Sequence, residues 1–228
     1  MDQGLAIIAR IRTDFPSKFG IPRQSGLVEA LQGAVVFEPK YRDVNALRGL
    51  ADFSHIWLIW QFSEAVRAEW SPTVKPPRLG GNTRLGVFAT RSPFRPNPLG
   101  LSCVRLIGID PDTPEGPVLR VAGADLMDGT PIYDIKPYIP YADCHPDATA
   151  GFTGQVEFPT LAVEIPDALL EQVPPEKRAA LKGILEQDPR PGYRRKDDGR
   201  RFGIAFAGFD VRFTVKEGVL RVEEIVRE

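Results

Sequence analysis

The chain has 228 residues, 43% of them hydrophobic and 26% charged, with a formal net charge of -1. That supplies one good core and a small second one, as in a folded protein, and its charge balance does not advertise nucleic-acid binding. No run approaches the roughly 20 apolar residues of a membrane span, and the start MDQGLAIIARIRTDF lacks a signal peptide's basic end and cleavage site, so a cytoplasmic protein is expected.

In chain order, apolar and β-branched segments of strand length recur between Gly and Pro: LAIIARIR (5–12), GAVVFE (33–38), HIWLIWQF (55–62), LGVFAT (85–90), LSCVRLIGI (101–109) and VLRVAGA (118–124). Helical periodicity before residue 150 is confined to Val44 to Leu50, so long helices do not alternate with the strands, and a barrel or sandwich is expected rather than a doubly wound sheet. Further on, ALLEQVPPEKRAALKGILEQ (168–187) has a helical pattern broken at Pro174 and Pro175. FGIAFAGFDVRFTV (202–215), a turn at Lys216-Glu217-Gly218 and VLRVEEIV (219–226) predict a terminal hairpin. The expected fold is mainly β, with an N-terminal domain over 1–147 and a small α+β domain over 151–228.

Charge is distributed unevenly. Arg67, Lys75, Arg78, Arg84, Arg91 and Arg95 face only Glu69 in one stretch; Arg190, Arg194, Arg195, Lys196, Arg200 and Arg201 sit with Asp197 and Asp198 in another. Such runs either contact phosphates or form a solvated surface. The nitrogen and sulfur ligands His55, His145, Cys103 and Cys144 lack zinc spacing, and two cysteines make no disulfide framework, so no metal and two free thiols are expected. His55, among Phe53, Ile56 and Trp57, reads as a structural histidine, and no G-x-S-x-G elbow signals a hydrolase. LGGNTRLG (79–86) matches neither dinucleotide nor P-loop spacing, which leaves its glycines as turn formers.

The most unusual stretch, SPTVKPPRLGGNTRLGVFATRSPFRPNPLG (71–100), sets arginines and Asn97 on a proline-stiffened backbone, either as a binding loop or as a rigid surface loop. DLMDGTPIYDIKPY (125–138) places Asp125 and Asp128 on a turn leading into a strand.

IPRQSGLV, RGLADFSHIWLIWQF, PTVKPPRLGGNTRLGVFATRSPFRPNPLGLS, DLMDGTPIYDIKPYIPYAD and EQDPRPGYR, in this order, resemble the TrmO family of tRNA N6-threonylcarbamoyladenosine N6-methyltransferases. The resemblance implies a single-sheet β-barrel methyltransferase domain, a homodimer, and methyl transfer from S-adenosylmethionine to the modified adenosine 3′ of the anticodon. It puts the cofactor site on Arg23, Gln24, Ser25, Ser63, Glu64, Arg91, Leu101, Asp125, Leu126, Met127 and Asp128. Ser25, Ser63 and Glu64 depart from residues common in the family, so backbone contacts are the ones expected to persist there. Because a sulfonium is already an activated leaving group, alignment suffices for catalysis and no metal is required. Asp128 is the candidate base and Asn97 the candidate substrate-orienting group. Arg84, Arg95, Arg190, Tyr193, Arg194, Arg195 and Lys196 are candidate tRNA contacts, with Phe94 and Tyr193 as stacking faces, although Tyr193 could instead pack between domains. Two other readings share these features: a non-catalytic S-adenosylmethionine- or RNA-binding module, and a small-molecule methyltransferase.

Overall fold

The computed structural model describes residues 4–76, 83–155, 159–195 and 197–228, with backbone alone at Gln155 and Tyr193. Strands β1 (Ala9–Arg12), β2 (Gln32–Phe37), β3 (His55–Gln61), β6 (Leu99–Asp110), β7 (Val118–Ala122) and β8 (Pro131–Pro137) close into an antiparallel barrel in the order β1-β2-β7-β6-β3-β8. Closure follows from β8 pairing with both β1 and β3. Strict alternation fills the interior: Ile56, Leu58 and Trp60 point inward from β3 while His55, Trp57, Ile59 and Gln61 are half-buried. Ile11, Val35, Val104, Leu119, Val121, Leu126 and Ile132 complete that core.

Between β3 and β6 the chain leaves the barrel as a small hairpin, β4 (Thr73–Val74) with β5 (Leu85–Gly86). Here the structure departs from the sequence expectation, because LGVFAT is strand only at its first two residues. Val87–Ala89 is a 3₁₀ turn closed by Thr90 Oγ1 donating to the Val87 carbonyl at 2.9 Å. Of the glycines read as turn formers, Gly86 has an ordinary φ of -57°, while Gly80 and Gly81 lie outside the described residues. The segment Val44 to Leu50 is two short 3₁₀ turns, Val44–Leu47 and Leu50–Asp52, the first capped by Asp43.

A short helix α1 (Pro140–Asp143) follows the barrel. The second sheet has the order β10-β11-β12-β9, from β9 (Ala162–Glu164), β10 (Arg201–Phe206), β11 (Phe209–Lys216) and β12 (Val219–Arg227), with β9 parallel to β12. The expected hairpin is thus a three-stranded meander plus one strand. The run 202–215 breaks at Ala207-Gly208, where φ values of 52° and 79° make a tight hairpin turn that the apolar sequence around it conceals. Helices α2 (Asp167–Leu170) and α3 (Pro175–Glu186) flank the proline pair; Pro174 caps α3 and Pro175 opens it, where a missing N–H costs nothing. Ala180, Leu181, Ile184 and Leu185 bury one face of α3 on the sheet.

The segment joining β1 to β2 belongs to both halves. Phe15, Val28 and Leu31 lie in the second core, Gly183 packs close to Val28, and Lys177 of α3 pairs with Asp14 at 2.5 Å. That segment also carries Arg23, Gln24 and Ser25.

Candidate active site

Three segments meet at one end of the barrel: the turn 22–26 between β1 and β2, the loop 90–98 before β6, and residues 123–128 after β7. The first and third are stapled by backbone, with Gly26 N–H donating to Gly123 O at 2.9 Å and Gly123 N–H to Leu31 O at 2.8 Å. Both glycines have positive φ, +79° and +74°, and a Cβ on Gly123 would sit 3.2 Å from the Gly26 backbone. This is a close approach of two backbone segments that only glycine permits.

The staple brings Asp125 beside the turn. Its carboxylate accepts from Ser102 Oγ at 2.6 Å and from the Ser25 backbone amide, with Arg91 as the nearby cation. Burial pushes its pKa up from the usual carboxylate value, opposed chiefly by the Ser102 hydrogen bond and then by amides and Arg91. Arg91 is exposed and donates from Nη1 to Gln24 Oε1, while Gln24 Nε2 donates to the Arg23 carbonyl at 2.5 Å. Arg23, Gln24, Ser25, Arg91 and Asp125 therefore form one polar cluster built from three distant stretches of sequence.

The remaining candidates divide. Ser63 and Glu64 are exposed on a 3₁₀ turn (Ser63–Ala65) after β3; Phe62 N–H bonds the Pro98 carbonyl at 2.8 Å, and Glu64 approaches Lys18 at 3.9 Å, tying this turn to the other two loops. Leu101 is 54% exposed on the outer face of β6. Leu126 is a barrel-core side chain, so only its backbone is available; its carbonyl accepts from Thr13 Oγ1 at 3.0 Å. Met127 is half-buried, and its carbonyl accepts from Thr130 Oγ1 at 2.7 Å. Asp128 accepts the Thr13 amide at 3.0 Å and lies in the field of Arg12, so the candidate base also anchors the end of β1. Asn97 is exposed and accepts Leu99 N–H on its backbone carbonyl at 2.7 Å.

Among the candidate tRNA contacts, Arg84 is exposed and donates to Thr73 Oγ1 at 2.7 Å. Arg95 is half-buried, donates to the Thr90 carbonyl at 2.6 Å and lies over the Phe88 ring at 5.8 Å, so it shapes its own loop. The half-exposed Phe94 ring is covered by Arg67 at 3.6 Å. Arg190 corrects the sequence expectation of a surface phosphate ligand. It is 6% exposed, and Nε and Nη2 both donate to Asp188, at 2.8 and 3.1 Å. Arg195 approaches the same carboxylate at 3.2 Å, and Arg194 is half-buried on a 3₁₀ turn. The Tyr193 side chain and Lys196 lie outside the described residues. His55 bonds Ser54 Oγ at 2.9 Å and meets the Tyr138 ring edge-on, a structural placement.

Sequence reasoning missed Ser102, Trp60 and Asp188. Ser102 had a signal: in β6 it is the polar residue at an inward position between Gly100 and Val104. Asp188 adopts φ 52°, which a sequence does not announce.

The cluster suits S-adenosylmethionine on its own chemistry. An exposed guanidinium fits the cofactor's carboxylate, and a half-buried carboxylate held by the Ser102 hydroxyl and backbone amides keeps lone pairs for hydroxyl or amino hydrogens. Among the described residues no helix is long and apolar enough to cross a membrane.

The tRNA-methyltransferase O N-terminal domain matches residues 10–144, and the TrmO C-terminal domain matches residues 153–228. A tRNA (adenine(37)-N6)-methyltransferase of Escherichia coli K12 is 40% identical over 222 residues, covering 94% of each chain. A protein of Pseudomonas aeruginosa named as a putative S-adenosylmethionine-dependent methyltransferase, RcsF, is 40% identical over 220 residues and 93% of each chain. The crystal structure of TrmO from P. aeruginosa superposes with a TM-score of 0.78 at 35% identity, covering all of this chain and 98% of that one. With both halves matched in order, the chain belongs to the TrmO family of tRNA methyltransferases.

Proposed function

We propose that this S-adenosylmethionine-dependent tRNA (adenine-37 N6) methyltransferase acts on adenosine that already carries an N6-threonylcarbamoyl group, immediately 3′ of the anticodon. The observation that carries the reading is the 40% identity to a tRNA (adenine(37)-N6)-methyltransferase over 94% of both chains, together with a polar cluster chemically suited to the cofactor. When bound, S-adenosylmethionine supplies a methyl group on a positively charged sulfur, already activated for displacement.

The chain's own task is alignment. Arg91, fixed through Gln24, pairs with the cofactor's carboxylate, and Asp125 accepts from its hydroxyl or amino groups. The backbone of 23–26 and 125–128, Ser63, Glu64 and Leu101 line the same end of the barrel. Asn97, exposed on the loop before β6, orients the modified base. Phe94 offers a stacking face for an unpaired base, and Arg84, Arg194 and Arg195 meet phosphates from the barrel and from the second domain. The resemblance to the TrmO family supports a homodimer as the active unit, and a tRNA substrate supports the cytoplasm as its compartment.

The reading is tested by nucleoside mass spectrometry of tRNA from cells with and without the gene. Methylated threonylcarbamoyladenosine is expected only where the gene is present. Its persistence at the same level in the deletion would refute the reading.

A further inference from the structure

Gly100, Ser102 and Val104 face inward at the start of β6, and Ser102 is 1% exposed. Trp60 on β3 stands opposite Gly100 in the β3–β6 register, and a Cβ at Gly100 would fall 2.3 Å from the indole. The ring fills the space that any other residue at 100 would take. In that position its Nε1 donates to Ser102 Oγ at 3.0 Å, and Ser102 Oγ donates to Asp125 Oδ1 at 2.6 Å. A hydroxyl has one proton, and the indole occupies a lone pair of the same oxygen, so the Ser102 proton is directed to Asp125. Trp60 is donor only and Asp125 acceptor when ionised, which gives the chain of three groups a single direction.

We propose that Ser102 is a positioning residue of the methyl-transfer site, its hydroxyl aimed by Trp60 so that the Asp125 carboxylate is held fixed to accept from the cofactor. This rests on the methyltransferase reading above. Besides its own backbone amide, the groups facing Asp125 are the Arg91 guanidinium from the loop before β6 and the Ser25 amide from the turn after β1. Neither replaces the hydroxyl. Arg91 is exposed to solvent, and the Ser25 amide lies on a loop rather than on a barrel strand.

Since burial raises the Asp125 pKa and the Ser102 hydrogen bond is the foremost influence opposing it, removing the hydroxyl raises it further. Cofactor affinity, measured by calorimetry across pH, therefore has an acid limb that moves to higher pH in Ser102→Ala and returns towards the wild type in Ser102→Thr. At neutral pH the expected loss in Ser102→Ala is about tenfold, the size of a hydrogen bond to a charged group. In an Asp125→Asn background the same substitution is expected to cost little more, because the charge it serves is gone. An acid limb that stays in place in Ser102→Ala would overturn the proposal, as would an equal loss in both backgrounds. If Asp125→Asn alone abolishes binding, the position of the limb decides. Failure of the wild-type protein to bind S-adenosylmethionine at any pH would instead defeat the parent reading.

Discussion

Asp125 and Asp128 lie three residues apart on one turn, yet the fold gives them different work. Asp128 is exposed and caps the Thr13 amide, so Asp128→Ala is expected to lower stability by about 1 kcal/mol, read from denaturant unfolding, and to leave cofactor affinity within twofold. Asp125 is half-buried among polar partners with its pKa raised. A carboxyl whose folded pKa exceeds its unfolded value contributes stability below the unfolded pKa, and that stability is lost as pH rises through the folded one. Asp125→Asn is therefore expected to raise the thermal midpoint at neutral pH but not in acid, while weakening cofactor binding. Calorimetry and thermal unfolding on one sample separate the two effects. Arg91→Ala, which removes the guanidinium assigned to the cofactor carboxylate, is expected to weaken binding by about tenfold to a hundredfold. Unchanged affinity would take Arg91 out of the site.

At the scale of elements, the segment between β1 and β2 joins the halves. Its Arg23-Gln24-Ser25 turn faces the barrel site, while Phe15, Val28 and Leu31 are anchored in the core built by α3 and the second sheet. Phe15→Ala, deleting a ring 1% exposed against Phe206, is expected to cost about 3–5 kcal/mol and also to weaken cofactor binding, because the turn loses its anchor. Stability loss with full affinity would show that the turn stands without the second domain. This joint was not legible in the sequence. Apolar periodicity located most barrel strands and α3, because alternation and helical spacing are local properties. It could not say that Phe15 and Leu31 would serve the distant core, nor that Ala207-Gly208 would turn the chain between β10 and β11. The motif residues Gln24, Arg91 and Asp125 were legible through the family resemblance, whereas Ser102 and Trp60 became visible only once β3 and β6 were paired. Arg190 looked like a phosphate ligand because a run of basic residues does not reveal that a neighbouring aspartate folds back onto one of them.

For the whole molecule, charge is near balance, so the proposed tRNA contacts rest on local basic patches rather than on net charge. Each phosphate contact releases counterions, and an Arg194→Ala/Arg195→Ala variant is expected to flatten the slope of log affinity against log salt by up to about two units. Cofactor affinity in the same variant should hold. An unchanged slope would mark this face as solvated surface and move recognition to the barrel loops. Which base is methylated is read directly from methyl transfer by the purified protein. It is supplied with S-adenosylmethionine and either tRNA bearing threonylcarbamoyladenosine 3′ of the anticodon or the same tRNA with unmodified adenosine. Transfer to N6 of the modified nucleoside alone is the expected result; equal transfer to both, or to neither, would contradict the account.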